Sequence, residues 1–544
     1  MNLTYQDLKE TTNLFRDFIY NFEKVDSFYS GNFRKIESFE KCRADLSKRK
    51  YFRNEMVSIL ERQNSEWGAS SQTLKNISYL KDSQTSVVFT GQQVGILGGP
   101  MFTIYKAISD IKLAAWLSEK LKTRVIPLFW LATDDHDFLE VNHIYLLDPQ
   151  SQVIKIEYKP NTDWNGKPMA KVVLDESINI FSKTISANLS ETKYKKEILS
   201  KLNEFYKEGE NLSTAFARWL VFLLGKYGLV LVNPSDNDLK RLAAPIFEKE
   251  IEQNGKLENI FRETNTKLEK NKYHQQIKKK EGYLNIFLDN GQRSTVRKEG
   301  DFLVVEATQE KYTPPQIREL LNQKPNLFSP NVVLRPVVQS YLFPTLVYIG
   351  GPSEVAYFAQ LKELHKALEV NMPVVYPRAA LTLLEKKTLE IMGKYNLDIK
   401  DILTQDIESV INQVIEKTLP PNWEENFNKT QAEIKQKFED LEQEVTQLEP
   451  TLKETFATTK GKIDFELNKL KEKYFQAYKR KNKNVREQLY KVKNHLYPEN
   501  DLQERIFNIV YYLNKYGLGL IDFLYQNIQA DDFEPKILIL EDQL

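Results

Sequence analysis

Four groups of residues in this 544-residue chain have the types and spacing to do chemistry. The first is Thr90-Gly91-Gln92-Gln93-Val94-Gly95-Ile96-Leu97-Gly98-Gly99-Pro100, with Lys106 downstream. Glycines let a backbone approach a ligand, and a helix opening directly after them would aim unpaired N–H groups at an anion. The second is Asp134-Asp135-His136-Asp137, an imidazole flanked by carboxylates and suited to proton transfer near neutral pH. The third, Gly350-Gly351-Pro352-Ser353-Glu354, echoes the Gly-Gly-Pro of 98–100 and is followed by Tyr357 and Gln360. The fourth is a pair of guanidiniums, Arg335 and Arg378, each read as closing a strand and each able to grip a carboxylate or phosphate through parallel bonds. Asn233, at the end of another apolar run, adds a polar group. Plainer readings stand beside these: glycines make tight turns, Asp134 caps a helix, an arginine or Lys106 covers surface, and Trp130 fills core. His136 and His143 lack the HExxH or Cys/His spacing of zinc sites, so no metal is expected.

These groups need elements to hold them. Val87-Val88-Phe89 reads as a buried strand feeding the first glycine run, and Ile104, Ala107, Ile108, Ile111 and Ala115 mark the helix after it. A second strand, 123–132, delivers the acid cluster; further strands are expected at Leu229–Val232, Asn331–Arg335, Thr345–Ile349 and Pro373–Tyr376. Open parallel sheets bind ligands outside the carboxyl ends of their strands, so the four groups should share one hollow. The fold expected is α/β, a Rossmann-like parallel sheet core with two small insertions and a long C-terminal α-helical coiled-coil hairpin. Residues 1–80 form helices packing on the core, which runs through 81–150, 216–254 and 326–414. Insertions occupy 151–215 and 255–325. In the first, Val153–Tyr158 and Met169–Leu174 alternate at period two and read as an antiparallel pair.

The hairpin spans 415–500. Ile434, Phe438, Leu441, Val445 and Leu448 form a heptad seam, as do Ile463 to Ala477 and Val485 to Leu496, with Pro450 and Gly461 as candidate points of reversal or kink. Residues 501–544 supply one amphipathic helix, Leu502–Tyr512, and an edge strand, Lys536–Leu540, returning to the core. Lys and Arg number 76 against 75 Asp and Glu, which argues against nucleic acid as a partner. The one cysteine, Cys42, excludes an intrachain disulfide. No apolar run is long enough to span a membrane, and the N-terminus lacks a basic-then-apolar signal, so a cytoplasmic protein is expected.

The stretch from Thr90 to Pro100 with Lys106, and Pro127-Leu-Phe-Trp-Leu-Ala-Thr-Asp-Asp-His-Asp137, resemble the cysteine ligases of bacillithiol biosynthesis, the BshC family. Tyr348 to Gln360, Met372 to Arg378 and Leu502 to Arg505 match it too, so the resemblance spans nearly the whole chain. It implies a core related to class I aminoacyl-tRNA synthetases, with a dimerising coiled coil. The implied reaction adds cysteine to the amine of glucosaminyl-malate, with ATP as the suspected activating co-substrate. On that basis His136, Asp137 and Asp135 are the catalytic candidates. Thr90, Gly91, Gln92, Gln93, Gly95, Gly98, Gly99, Lys106, Asp134, Asn233, Arg335, Gly350, Gly351, Glu354, Tyr357, Gln360 and Arg378 are the candidates for binding. The synthetase HIGH position carries Gln92-Gln93-Val94-Gly95, and no KMSKS-like motif is found. Alternative readings are a nucleotide-binding coiled-coil scaffold without turnover and an amino-sugar acyltransferase with another acceptor.

Overall fold

Five apolar runs align as one parallel sheet in a computed structural model that describes residues 3–9, 11–419 and 422–541. In chain order the strands are β1 (Ser86–Gln93), β2 (Val125–Ala132), β3 (Val230–Val232), β4 (Thr345–Gly350) and β5 (Val374–Pro377). Both faces of each are covered, which is why they read as continuous apolar runs rather than alternating ones. Across the sheet the order is β3-β2-β1-β4-β5. The chain therefore builds outward from β1 to β3, then returns to lay β4 on the other flank of β1. That reversal puts a crevice beyond the carboxyl ends of β1 and β4, where doubly wound sheets bind ligands.

Four helices serve this crevice: α1 (Phe102–Leu121) after β1, α2 (Asn237–Lys270) after β3, and α3 (Arg335–Leu342) and α4 (Pro352–Phe358) on either side of β4. The N-terminal helices Ile36–Leu46 and Arg53–Glu66 cover β4 and β3. The insertion between β3 and β4 holds a second, five-stranded antiparallel sheet, with Phe328–Pro330 on Tyr283–Asp289 and Arg293–Glu299 next. The chain divides into two compact units, Met1–Lys386 with Pro498–Leu544, and Lys387–Tyr497. Among the described residues no helix is long and apolar enough to cross a membrane.

Several local expectations are corrected. Val153–Glu157 does pair antiparallel, but with His143–Leu147; Met169–Lys171 is a single 3-10 turn. Its N–H groups are spent elsewhere, Met169 N donating to Asp135 O (2.7 Å) and Ala170 N to Thr133 O (2.9 Å), so the segment props the acid loop. Residues 331–334 form a turn, not a strand. Asn331 Oδ1 accepts from Val333 N (2.9 Å) and Leu334 N (3.1 Å), and Pro336 suits the start of α3, so Arg335 opens a helix. The stretch after Gly350-Gly351 folds as two helices, Pro352–Phe358 and Lys362–Ala367. The helix expected over Leu502–Tyr512 is interrupted because Asn508 caps the one that follows, Ile509–Tyr516. The tail strand Lys536–Leu540 finds a parallel partner that sequence reading missed, Leu381–Glu385.

In the second unit, Trp423–Leu448 turns back at Pro450–Leu452 into Lys453–Lys481, which runs through Gly461 without a break. Lys460 with Glu439 (2.5 Å), Lys471 with Glu424 (2.7 Å) and the Phe438–Phe456 rings hold the two helices side by side.

Candidate active site

A cavity of about 890 Å³ opens at the crevice between β1 and β4. Its wall on the β1–β4 side centres on Lys106, at the start of the second turn of α1 and 3% exposed. The ammonium donates to Gly91 O and Gln92 Oε1, both at 3.0 Å, and pairs with Glu354 Oε2 at 2.5 Å. Glu354 stands in the first turn of α4, accepting from Gly351 N (2.9 Å) and Tyr348 Oη (2.9 Å). Burial opposes its charge, but Lys106, the Gly351 amide and Arg335 outweigh burial and hold the carboxyl below the usual range. Glu354 can come this close because residue 350 is glycine: a Cβ there would lie 2.8 Å from Glu354 Cβ.

The two arginines differ. Arg378, just past β5, is held bidentately by Glu504 at 2.6 and 2.9 Å and also donates to Ala379 O (2.7 Å), so its charge is matched. Arg335 donates only to neutral oxygens, Tyr357 Oη (2.5 Å), Tyr348 Oη (3.2 Å) and Gln339 Oε1 (3.5 Å). It is the guanidinium of the pair left to meet an anionic ligand.

The acid cluster follows β2 as expected, and three of its members are engaged from outside the loop. Asp134 accepts from Lys240 Nζ (2.6 Å) on α2 and from Ser235 Oγ (2.9 Å). Asp135 accepts from Gln93 Nε2 (2.8 Å) and from the His136 amide (2.7 Å). His136 Nδ1 faces Arg293 Nη1 at 2.8 Å. A guanidinium can only donate, so Nδ1 is the acceptor and the proton of the neutral ring sits on Nε2. Arg293 is itself fixed by Ser329 Oγ (2.9 Å) and Pro330 O (3.0 Å), with its guanidinium 3.7 Å over the Phe287 ring. Among the described residues Asp137 has no side-chain hydrogen-bond or ion-pair partner; burial and the adjacent Asp135 charge raise its carboxyl above the usual value. Asp135, His136 and Asp137 do each offer a ligand atom within 4.8 Å of the others. Gln93 and Arg293 already occupy two of the three groups, and nothing else in the cluster points to a cation.

The model described as "Bacillithiol biosynthesis BshC, N-terminal Rossmann-like domain" matches residues 1–379, and "Bacillithiol biosynthesis BshC, C-terminal coiled-coil domain" matches 381–540. The chain belongs to the BshC family. Relatives named "Putative cysteine ligase BshC" include those of Salinibacter ruber, 31% identical over 97% of this chain and 96% of the relative, and Natranaerobius thermophilus, 32% identical over 94% of each. That of Solibacter usitatus is 30% identical over 98% of both.

Within this BshC chain, the cavity gathers Gly91, Gln92, Gln93, Lys106, Asp134, Asp135, His136, Asp137, Arg335, Gly351, Glu354, Tyr357 and Arg378. Seven other candidates do not line it. Thr90 Oγ1 donates to Ile349 O (3.0 Å), tying β1 to β4, and Asn233 Oδ1 accepts from Thr133 Oγ1 (2.6 Å), steadying the acid loop. Gly350 and Gln360 act one layer back. Gly95, Gly98 and Gly99 form a packed turn instead of a phosphate cradle. The Asn508 amide donates to Leu97 O (3.0 Å) and Gly99 O (2.7 Å), and Met101 N, at the start of α1, donates to Phe507 O (2.9 Å). The glycine turn and its helix entrance are therefore closed by the tail of the chain and do not fit a nucleotide's phosphates.

Sequence reading missed Arg293, Lys240, Glu504 and the lysines at 278–280. Glu504 lies within the stretch Leu502 to Arg505, but nothing beside it marks it as the partner of Arg378, and Arg293 carries no local signal.

Proposed function

We propose that this BshC chain is a cysteine ligase that joins the cysteine carboxyl to the amine of glucosaminyl-malate, forming the amide of bacillithiol, with ATP as the activating co-substrate. The observation that carries this reading is a set of groups in one cavity: the Asp137 carboxylate, the His136 Nε2–H and the Arg335 guanidinium, whose hydrogen-bond partners are all neutral. Amide formation from an amine and a carboxylate needs such a set. Asp137, an acceptor with a raised pKa, takes the proton that the sugar ammonium must lose before it can attack. His136 donates from Nε2 to an oxygen of the acyl group or the sugar, and Asp135 holds the loop that carries it. Arg335 receives a carboxylate of cysteine or of the malyl group. Lys106 and Glu354 fix the floor between β1 and β4 and leave no free charge there. ATP would supply the activation that lets a carboxylate oxygen leave; the cations facing the cavity, and not the closed glycine turn, are the groups suited to its phosphates. The setting is the cytoplasm, where cysteine stays reduced.

The test is an assay of the purified chain with cysteine, glucosaminyl-malate and ATP, product read by mass. Amide formed only when all three are present supports the reading. No amide under any condition, or amide with a different amino-sugar in place of glucosaminyl-malate, rejects it.

The same reading makes the chain a homodimer through its hairpin. Along Trp423–Leu448 no side chain is buried, and the heptad residues Leu441 and Leu448 are 47% and 88% exposed. A seam this regular left open by its own hairpin partner suits a second copy. Leu441→Lys should convert a dimer to a monomer by light scattering. A wild-type chain that is already monomeric at micromolar concentration refutes the dimer alone.

A further inference from the structure

Between the end of α2 and the antiparallel sheet, the segment Ile277–Lys280 passes along the cavity wall with three consecutive lysines. Its position is fixed from the core. Gln360, wholly buried, accepts from Ile277 N (2.9 Å) and donates to Ile277 O (3.0 Å), and its amide nitrogen also reaches Asn265 Oδ1 (2.7 Å). A buried glutamine that clasps both the N–H and the carbonyl of Ile277, and is itself anchored to Asn265 on α2, makes that loop a fixed strap.

The middle lysine is the anomaly. Lys279 Nζ is buried and has no hydrogen-bond partner among the described residues. Glu250 and Glu258 attract it electrostatically, yet neither accepts from it. Glu250 accepts from Asn285 N (2.7 Å), Asn285 Nδ2 (3.2 Å) and Asn254 Nδ2 (3.3 Å), and Glu258 accepts from Gly282 N (2.9 Å). Burial pushes the Lys279 amine down from its usual value. An ammonium carries three donors, and leaving them all unmet away from water is unfavourable. Lys278 and Lys280, exposed on either side, add charge without partners of their own among the ion pairs.

We propose that Lys278–Lys280 is the anion-receiving strap of the cavity, with Lys279 donating to phosphate or carboxylate oxygens of a bound substrate. Two anions in the proposed ligation share this chemistry, the phosphate chain of the activating nucleotide and the malyl carboxylates of the acceptor. Which anion it is rests on that reading; that the strap takes an anion does not.

Tripolyphosphate and L-malate, titrated separately into the full-length chain by calorimetry, test this without turnover. The wild type should bind at least one, and Lys279→Met should weaken that binding about tenfold or more, as expected for a charge-assisted bond. Lys270→Met, on the exposed last turn of α2, should leave it unchanged. Binding of tripolyphosphate alone assigns the strap to the nucleotide; binding of malate alone assigns it to the acceptor. Should Lys279→Met fail to fold, acylation footprinting of the wild type replaces it: the bound anion should protect the exposed Lys278 and Lys280 of the strap from an amine-reactive ester more than it protects Lys270. Neither probe binding, equal affinity in Lys279→Met, or no selective protection overturns the strap. A chain that ligates but shows any of these keeps the ligase reading and loses the strap, while one that binds through Lys279 but does not ligate does the reverse.

Discussion

The same three residues, Gly-Gly-Pro, follow β1 and β4, and they do opposite work. After β1, Gly98 and Gly99 take φ of 91° and 69°, a region that side chains avoid, and a Cβ on Gly98 would lie 3.1 Å from Trp219. The Leu97 and Gly99 carbonyls and the Met101 amide are consumed inside the chain, by Asn508 and Phe507. After β4, Gly351 has φ of −76°, open to any residue, and what counts is the missing Cβ. Its absence lets the Arg378 guanidinium and Glu354 crowd against the backbone at the cavity wall. One turn uses glycine for an angle and becomes scaffold; the other uses it for space and becomes site. A glycine motif thus says that the backbone is unusual, and only its neighbours say why.

The comparison breaks most visibly at Glu354. Glu354→Leu leaves the Lys106 ammonium buried without its carboxylate, and removing one partner of such a pair costs about 3–5 kcal/mol. The thermal midpoint should fall and ligation should collapse with it. Lys106→Met with Glu354→Leu should recover part of the midpoint; a double variant as unstable as the summed singles would show that the two are not coupled. The pH dependence follows from the sign of the shift. Glu354 is held below its unfolded value, so its contribution is complete above that value, about pH 4.5, and is lost as pH falls through the lower folded value. Glu354→Gln should therefore flatten the acid side of the midpoint-versus-pH curve below about pH 5.

At the scaffold turn, Gly98→Ala forces a side chain into the left-handed region and toward Trp219, a strain of about 1–3 kcal/mol. The midpoint should drop while the KM for each substrate stays put, because this turn does not face the cavity. A raised KM without a lower midpoint would return the turn to the site. A third variant probes the imidazole that both walls serve. Arg293→Met frees His136 Nδ1 and should lower kcat about tenfold. Nitrogen NMR of His136 should show the Nε2–H form in the wild type and a mixture of tautomers in the variant; an unchanged spectrum would remove Arg293 from any positioning role.

Much of this was legible in the chain itself. The acid cluster stands where it was expected because a polar run directly after a buried strand in a parallel sheet has nowhere to go but the carboxyl edge. Lys106 followed from helical spacing, and the hairpin from its heptads. Arg335 reached the cavity by a different route from the one expected, since Asn331 and Pro336 turn an apolar run into the start of a helix. Gly95, Gly98 and Gly99 misled because their role is decided by Phe507 and Asn508, roughly four hundred residues away, which nothing near them announces. Arg293 was invisible for the same reason: it meets His136 across 157 positions through an antiparallel sheet in an insertion, and exposed-looking strands carry no mark of where their edge will dock. Local pattern set the sheet and its edge. Which distant segments would lean over that edge was a tertiary matter.

The smallest effect should come from the turn that faces the cavity. Gly351→Ala meets no backbone strain, so its stability should stay within about 0.5 kcal/mol of the wild type. The new methyl would lie 3.3 Å from Arg378 Nε and 3.6 Å from Glu354 Oε2, and something must yield by a few tenths of an ångström. Arg378 is clamped by both oxygens of Glu504 and has little freedom, so the adjustment should pass to Glu354 and through it to Lys106 and the Gln92 Oε1 it holds. The expected result is a rise of a few-fold in KM at nearly constant midpoint, the mirror image of Gly98→Ala. If Gly351→Ala instead lowers the midpoint and spares KM, the two turns are alike after all, and the second is scaffold as well.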